Sequence, residues 1–162
     1  MGLNYFTSEY AIKIHDKIIE ISGGVNGVKT FGNIDSPLTH IQNDDYYPRF
    51  EDKLSHLVFS FNMFHAFNDG NKRTSIAMGA FFLEINGLDA LVNKFIIEME
   101  NIAVLVADNI ISKELLNEII TSLMNDVDYS EELKLKIIAA FDQLDNSIES
   151  LNLGNTFYRD LF

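Results

Sequence analysis

The chain has 162 residues and a mass of 18.4 kDa, which corresponds to one domain of ordinary size. An apolar fraction of 47% indicates a globular protein with a sizeable core rather than a disordered chain. The 24 acidic and 12 basic residues give a net charge of -12, which argues against a broad nucleic-acid-binding face but allows a small anion site. Cysteine is absent, which excludes disulfides, thiol catalysis and thiolate metal sites.

The sequence carries no sign of a membrane or secretory destination. No apolar run reaches the length of a membrane-spanning helix, and the first residues lack the basic flank and apolar stretch of a secretory signal. Phe6 stands where a myristoylation signal has Ser or Thr. We therefore expect a cytoplasmic protein that contacts neither a membrane nor nucleic acid.

The first predicted helix covers residues 8–22, with Ser8 as its N-cap and Gly23-Gly24 as its stop. Its apolar spacing predicts an inward face of Ala11, Ile14, Ile18 and Ile21. From residue 25 to residue 48 the periodicity fails, and glycine and proline interrupt a long irregular stretch. Such stretches are usually functional or mobile, and this one has room for a short β-hairpin.

Five further helices are predicted from apolar residues three and four positions apart, at 51–64, 72–85, 95–108, 113–124 and 130 to about 151. The first of these five is expected to have an inward stripe of Leu54, Leu57, Val58, Phe61 and Phe64, and the next buries Ile76, Ala77, Ala80 and Leu83. The pattern predicts an all-α fold. An acidic turn at 125–128 divides a body of residues 1–125 from a helical extension of residues 126–162.

The segment from His65 to Thr74 carries the chemistry of the chain. Gly70 permits unusual backbone angles, and the helix that follows presents free backbone N–H groups that favour anions. Lys72 and Arg73 occupy its first turn, where positive charge opposes the helix dipole unless an anion is bound. This pattern indicates a site for phosphate.

Two further side chains suit the transfer of a phosphoryl or nucleotidyl group. Magnesium usually takes one or two carboxylates together with substrate phosphates, which suits Asp69. His65 is of the residue type that most readily takes a proton from a hydroxyl near neutral pH. Such reactions depend on positioning and on neutralisation of charge, and these residues supply both.

Each residue of the segment also has an ordinary structural explanation. Asp69 alone is more often an N-cap than a metal ligand, and His65 alone is more often a hydrogen-bonded structural histidine. Lys72 and Arg73 alone are solvated charges, and Phe67 is a core residue in either case. Their occurrence together within nine residues favours the functional interpretation.

The segment His65-x-Phe67-x-Asp69-Gly70-Asn71-Lys72-Arg73 resembles the signature of the Fic/Doc (Fido) proteins, H-x-F-x-[D/E]-[G/A]-N-[G/K]-R. The similarity covers roughly residues 3–125. His15-Asp16 and the glycine turn at 23–27 resemble the first helix and turn of Doc-like members, those similar to the death-on-curing toxin. The resemblance implies a helical Fido fold with a flap, often a β-hairpin, for which residues 39–49 are the candidate.

The same resemblance implies ATP and Mg²⁺ as co-substrate and cofactor, with transfer to a hydroxyl side chain of a target protein. His65 would deprotonate the hydroxyl, and Asp69 would hold Mg²⁺. The other motif residues take supporting roles, in which Gly70 and Asn71 form the anion-binding turn, Arg73 holds the phosphates and Phe67 anchors the loop.

Two positions separate this chain from AMP-transferring members of the family, which have Gly in place of Lys72 and Arg in place of Ile76. Lys72 matches the Doc branch, in which the γ-phosphate is transferred and a translation factor, elongation factor Tu, is the known target class. We therefore expect a Doc-like toxin kinase. The alternatives are AMP transfer, a non-catalytic module that binds a nucleotide or partner, and a Mg²⁺-dependent phosphohydrolase.

Many members of the family carry an inhibitory helix with the pattern [S/T]-x-x-x-E-[G/N]. Glu100-Asn101 is the only Glu followed by Gly or Asn, and Ile96 occupies the Ser/Thr position. The sequence thus predicts restraint by a separate cognate antitoxin or, by other means, by the C-terminal extension. The latter is more simply explained as an amphipathic helix packed on the body or on a second subunit.

Overall fold

The computed structural model describes the backbone of residues 2–150 and the side chains of residues 2–147. The regular structure of this part is helical and confirms the all-α prediction. Its helices are α1 (Ser8–Ser22), α2 (Gly32–His40), α3 (Phe50–Met63), α4 (Asn71–Ile85), α5 (Val92–Ala107), α6 (Lys113–Met124) and α7 (Glu131–Ser150), with a 3-10 turn at Asp89–Leu91. Within residues 2–150, no helix combines the length and apolar character needed to cross a bilayer.

Helix α3 occupies the centre of the molecule and packs against α2, α4, α5 and α6. Its apolar side chains recur every three or four residues, so Leu54, Leu57, Val58 and Phe61 are fully buried as predicted. Helix α4 lies between α3 and α5 and approaches α5 closely at Gly79. A Cβ atom there would lie 2.5 Å from Cζ of Phe95.

The stretch predicted to be irregular contains a helix, α2, which the sequence analysis missed. Gly32 and an internal Pro37 lower its intrinsic helix propensity, and packing of Ile34, Pro37 and Leu38 into the core compensates for this. The candidate flap at residues 39–49 is the end of α2 followed by turns, without a strand in the described chain. These residues therefore form no β-hairpin, and their role as a flap stays a prediction.

A buried lysine fixes the turn region between α2 and α3. The side chain of Lys53 is almost fully buried, and its Nζ donates hydrogen bonds to the Ile41 carbonyl at 2.5 Å and to Asp44 Oδ1 at 2.7 Å. A buried ammonium group needs such partners because its transfer from water is costly. Lys53 therefore fastens residues 41–47 to the body.

The start of α1 differs from the prediction by one residue. Thr7 is the N-cap, since its Oγ1 accepts a hydrogen bond from the Tyr10 backbone N–H at 3.2 Å. Ser8 is instead buried and donates to Asp35 Oδ1 at 2.8 Å, which joins α1 to α2.

Two residues predicted to be in the core lie at the surface. Ile21 is 74% exposed and Phe64 is 44% exposed, because each lies at the end of its helix, where the chain leaves the core. The buried face of α1 runs through Ala11, His15 and Ile19, so a histidine occupies a position that counting apolar residues could not assign to the core.

Helix α7 attaches the end of the described chain to α5 and α6. Leu133 and Ala140 are buried in the common hydrophobic cluster, and Lys136 pairs with Glu118 of α6 at 3.0 Å. Its sequence-derived end near residue 151 lies outside the described residues. The division at residue 125 stays a prediction.

Candidate functional site

The signature segment forms the turn between α3 and α4. Helix α3 ends at Met63, and α4 begins after Gly70, which has a left-handed backbone with φ of 76°. His65 also has a positive φ, 48°, which is uncommon for a residue with a side chain. Backbone strain of this kind is frequent at functional sites, and among the described non-glycine residues His65 shares it with Asn109 and Asp126.

Phe67 anchors this turn in the protein. Its side chain is 1% exposed, and its ring lies parallel to the buried imidazole of His15. The side chain of Asn71 binds the Phe67 backbone at both ends, accepting from its N–H at 3.1 Å and donating to its carbonyl at 3.0 Å. The amide of Asn71 thus shapes the turn rather than projecting free into it.

A second segment, residues 25–30, braces the turn from the other side. Val28 and Phe67 form an isolated antiparallel bridge. The Asn68 N–H donates to the Gly27 carbonyl at 3.0 Å, and the Lys29 N–H donates to the Ala66 carbonyl at 2.8 Å. The glycine turn after α1 is therefore part of the site scaffold.

His15 is a supporting residue that the sequence analysis did not place in the site. It is fully buried, and its Nε2 lies 2.7 Å from the carbonyl oxygen of Asp69. Since a carbonyl only accepts, Nε2 must carry the hydrogen. The available signal was a histidine on the inward face of α1, a position at which a buried imidazole requires a polar partner.

The carboxylate of Asp69 accepts two backbone hydrogen bonds, one at each oxygen. The Gly70 N–H donates to Oδ1 at 2.7 Å, and the Val25 N–H donates to Oδ2 at 3.0 Å. The Val25 and Gly70 donors, with a smaller contribution from the charge of Arg73, hold the pKa of Asp69 below its usual value. Asp69 is therefore an ionised, half-exposed carboxylate in a fixed orientation.

Gly24 allows the approach of the Val25 backbone to this carboxylate. Its φ is +124°, and a Cβ atom would lie 2.6 Å from Asp69 Oδ2 and 3.0 Å from Arg73 Nη2. Both the positive φ at this position and the lack of room for a Cβ atom thus require glycine.

Arg73 reaches back to the end of α1. Its Nη1 donates to the Gly23 carbonyl at 2.8 Å and to the Ser22 hydroxyl, and its Nη2 lies 4.0 Å from Asp69 Oδ1. The negative end of the α1 dipole stabilises this cation, which resolves part of the conflict expected from two cations at a helix start. Lys72 is exposed and has no ion pair within the described part of the chain.

The N-terminus of α4 is open for a ligand. The Gly70 N–H is taken by Asp69, but those of Asn71, Lys72 and Arg73 have no acceptor among residues 2–147. They border a cleft of about 340 Å³ whose lining residues are Asn62, His65, Asn68, Asp69, Gly70, Asn71, Lys72, Arg73 and Ala107. The structure thus brings the predicted residues other than Phe67 to one cleft, with Phe67 buried beside it.

Two side chains of the cleft offer unused hydrogen-bonding capacity. The His65 imidazole is exposed and bonds to no other group in the described structure. Asn62, which the sequence analysis did not identify, is buried and donates to the Ala103 carbonyl at 2.8 Å, but its Oδ1 has no donor among the described residues.

The carboxylate of Asp69 is the one side chain of the predicted site with the oxygen ligands that a divalent cation prefers. Among the described residues, no group of three or more His, Cys, Asp or Glu side chains could hold a metal. Magnesium commonly binds through a single carboxylate, substrate phosphates and water, and the ionised Asp69 carboxylate provides the required hard oxygen ligand.

Comparison with known proteins shows which family the region of the site resembles. Residues 5–83 match the model of the Fic/DOC family, so this region of the chain is similar to that family. Over 70 residues the chain is 40% identical to the protein named Toxin Doc of Mycolicibacterium smegmatis (strain ATCC 700084 / mc(2)155). That alignment covers 41% of this chain and 54% of the relative, so the chain spans about half the length of the curated protein it matches.

Proposed function

We propose that this protein is a Doc-like toxin that transfers the γ-phosphate of ATP to a Ser or Thr hydroxyl of a target protein such as a translation factor. The observation that carries the proposal is the shared cleft of His65 and Asp69 at the open N-terminus of α4. The match of residues 5–83 to the Fic/DOC family model and the likeness to a protein named Toxin Doc support it.

His65 is the proposed general base. Its imidazole is exposed, borders the cleft and is not engaged by another group of the described chain. The target hydroxyl would lose its proton to this imidazole as its oxygen forms a bond to the γ-phosphorus. The bond from that phosphorus to the β,γ-bridging oxygen breaks, and ADP leaves with the electron pair.

The phosphates of ATP are proposed to bind at the start of α4. The three free N–H groups and the positive end of the helix dipole favour phosphate oxygens, and Lys72 and Arg73 add positive charge. Asp69 would hold Mg²⁺, which when bound neutralises part of the phosphate charge. Hydrogen bonds from Val25, Gly70 and His15 hold Asp69 in a fixed position before ATP binds.

Two residues favour γ-phosphate transfer over AMP transfer. Lys72 places an exposed cation at the helix start where AMP-transferring relatives have Gly. Ile76, one turn further along α4, is apolar and cannot bind the phosphate that a second arginine would hold. Both differences favour the chemistry of the Doc branch.

A toxin of this kind requires restraint in the cell, and we propose a separate cognate antitoxin as the partner. The described chain lacks the sequence pattern of the family's inhibitory helix, since Ile96 replaces its Ser or Thr. Production of the protein alone is expected to arrest growth, and His65→Ala is expected to relieve the arrest.

Labelled ATP distinguishes the possible reactions. A cell lysate is incubated with the protein and ATP labelled at the γ-phosphate, and in parallel at the α-phosphate. We expect protein labelling from the γ-position only, and labelling from the α-position would establish AMP transfer instead. Phosphate release without labelled protein would indicate a phosphohydrolase, and ATP binding without either product would indicate a non-catalytic module.

Two variants test the assigned roles. His65→Ala is expected to reduce labelling at least about 100-fold without changing thermal stability, because the side chain is exposed and unbonded in the described structure. Lys72→Gly tests the choice of phosphate, and we expect it to weaken γ-transfer. Its control is Lys13→Gly, which removes an exposed lysine of α1, away from the cleft, that has no ion pair among the described residues.

A further inference from the structure

Asn62 carries a buried oxygen without a hydrogen-bond donor at the edge of the candidate cleft. The side chain is 2% exposed, and its amide nitrogen donates to the Ala103 carbonyl at 2.8 Å. Because a carbonyl oxygen only accepts, this contact fixes the orientation of the amide and leaves Oδ1 as its free atom. Oδ1 is shielded from solvent and has no donor among the described residues. Buried polar atoms are almost always paired, so this oxygen indicates a partner that reaches it in another state of the site.

The side-chain donors around the cleft are mostly engaged elsewhere. The amides of Asn68 and Asn71 donate to backbone carbonyls, and Arg73 donates to the end of α1. His65 and Lys72 also border the cleft, and neither bonds to another group of the described chain. These two side chains are therefore the donors that remain available to the buried oxygen.

The position of His65 favours it over Lys72 as this donor. The chain from Asn62 to Phe64 is helical or nearly so, with Phe64 at φ of -89° and ψ of 3°, and His65 follows directly. At helical geometry, Cβ atoms three residues apart lie about 5–6 Å from each other, a distance that an imidazole and an amide can bridge. Lys72 instead occupies the first turn of α4, where phosphate competes for its charge. Rotation of the exposed imidazole about its own side-chain bonds thus brings a ring N–H to Asn62.

Such a contact would give the candidate base its correct form. In a neutral imidazole one nitrogen carries hydrogen and the other is bare, and the hydrogen bond at one nitrogen decides the state of both. An oxygen that only accepts binds the nitrogen that carries hydrogen, so the bare nitrogen is left to take the proton of a hydroxyl. The same oxygen stabilises the imidazolium that forms once the proton has moved.

We infer that Asn62 is a positioning residue for His65, whose ring N–H donates to Asn62 Oδ1 when anions fill the cleft. The inference rests on the proposed function and assigns the second hydrogen bond of its general base. Phosphates at the start of α4 displace water from the cleft, which favours the protein acceptor over solvent. The proton of the target hydroxyl moves to the other ring nitrogen as the hydroxyl oxygen bonds to the γ-phosphorus.

The test is the tautomer of His65, which nuclear magnetic resonance reads from the shifts of its two ring nitrogens. The chain has four histidines, and the His65 signals are those lost in His65→Ala. At about pH 8.5, where imidazoles are neutral, a single tautomer gives one bare and one hydrogen-bearing nitrogen, whereas exchange averages the shifts. We expect a single tautomer with Mg²⁺ and the non-hydrolysable analogue AMP-PNP bound, and averaging in Asn62→Leu. A merely structural role of Asn62 would leave the tautomer unchanged.

Kinetics provide a second readout. Asn62→Leu should lower kcat for γ-phosphate transfer at least about tenfold and leave KM for ATP within about twofold, because Asn62 acts on His65 rather than on ATP. If this variant does not fold, Asn62→Ser replaces it, since a serine hydroxyl can donate to the carbonyl one turn earlier in α3. The control is Ser60→Ala, which removes another buried oxygen of α3 that has no partner among the described residues but lies outside the cleft. It should keep both the tautomer and kcat.

Three results would overturn the inference: averaged shifts in the loaded unmodified protein, a single tautomer that persists in a folded Asn62 variant, or an unchanged kcat in that variant. If AMP-PNP does not bind, or no protein is labelled, the proposed function fails separately. The same spectra are then recorded with pyrophosphate as the anion. A single tautomer that requires Asn62 would still support the inference, and averaged shifts would overturn it.

Discussion

The imidazole of His15 lies flat on the ring of Phe67, with centroids 3.8 Å apart and planes within 5° of parallel. The same imidazole donates to the Asp69 carbonyl, so one buried side chain of α1 supports both the anchor of the turn and the residue that bears the carboxylate. The orientation of Asp69 therefore depends on a residue 54 positions earlier.

Replacing His15 separates these two supports. His15→Phe keeps an aromatic ring on Phe67 but removes the donor to Asp69, and we expect about tenfold slower transfer with a loss of about 1 kcal/mol in unfolding free energy. His15→Ala also creates a cavity and should cost about 3 kcal/mol. Urea unfolding and labelled-ATP assays measure the two effects. Full activity of His15→Phe would show that the hydrogen bond does not position Asp69.

Adding a methyl group at Gly24 should disturb the site directly. Gly24→Ala places a Cβ against the Asp69 carboxylate and the Arg73 guanidinium, so we expect weaker Mg²⁺-ATP binding by isothermal titration calorimetry. Gly23→Ala is the matched control, because Gly23 also has a positive φ but open space around its Cβ position. Both variants should lose about 1 kcal/mol of stability. Equal ATP affinity in the two variants would argue against a role for this close approach.

The protein should lose stability in mild acid through His56. Burial, together with the charges of Lys113 and His40, lowers the pKa of His56 from 6.5 to about 4. Between these values the unfolded chain binds more protons than the folded one, so the contribution of His56 to stability is present above pH 6.5 and is lost as the pH falls toward 4. The expected loss is about 2 to 3 kcal/mol.

The comparison for this effect is His56→Gln, which keeps an acceptor for Lys113 and for the Tyr47 hydroxyl. Chemical unfolding at about pH 7, 6, 5 and 4 should show a shallower decline for the variant than for the unmodified protein. Parallel declines would assign the acid sensitivity to other groups.

The contact of α4 with α5 should not tolerate a larger residue at Gly79. Gly79→Ala forces a Cβ into the ring of Phe95 and against Val58, and we expect a loss of about 1 to 3 kcal/mol. Gly32→Ala, in the first turn of α2, meets nothing within 4 Å and should be neutral or slightly stabilising. Melting temperatures of the two variants provide the test, and a stabilised Gly79→Ala would show that the helices can move apart.

The sequence predicted those parts of the fold that follow from local pattern. The helix at 113–124 was placed correctly at both ends, because Ser112 caps it and its apolar spacing is regular. Helix α2 was missed because packing of Ile34, Pro37 and Leu38, which local propensity does not report, stabilises it.

In the site, too, the sequence predicted what depends on neighbouring residues and missed what depends on distant contacts. The motif placed Phe67 in the core and set Gly70 at the helix start, since both depend on neighbouring residues. The partners of Asp69 and Arg73 come from α1 and the turn after it. Contacts between residues about 50 positions apart produce no periodic pattern in a single sequence, so they could not be predicted. Whether the assigned residues perform the proposed reaction stays a prediction.

The reach of Arg73 to the end of α1 limits how far the molecule can be shortened. A fragment starting at α2 would retain every letter of the nine-residue signature, yet lose the Gly23 carbonyl, the Ser22 hydroxyl, the Val25 amide and the His15 imidazole. Grafting the signature alone onto another helical scaffold should likewise yield an inert turn. The smallest transplantable unit is therefore α1 with the glycine turn that follows it, together with the signature turn and α4.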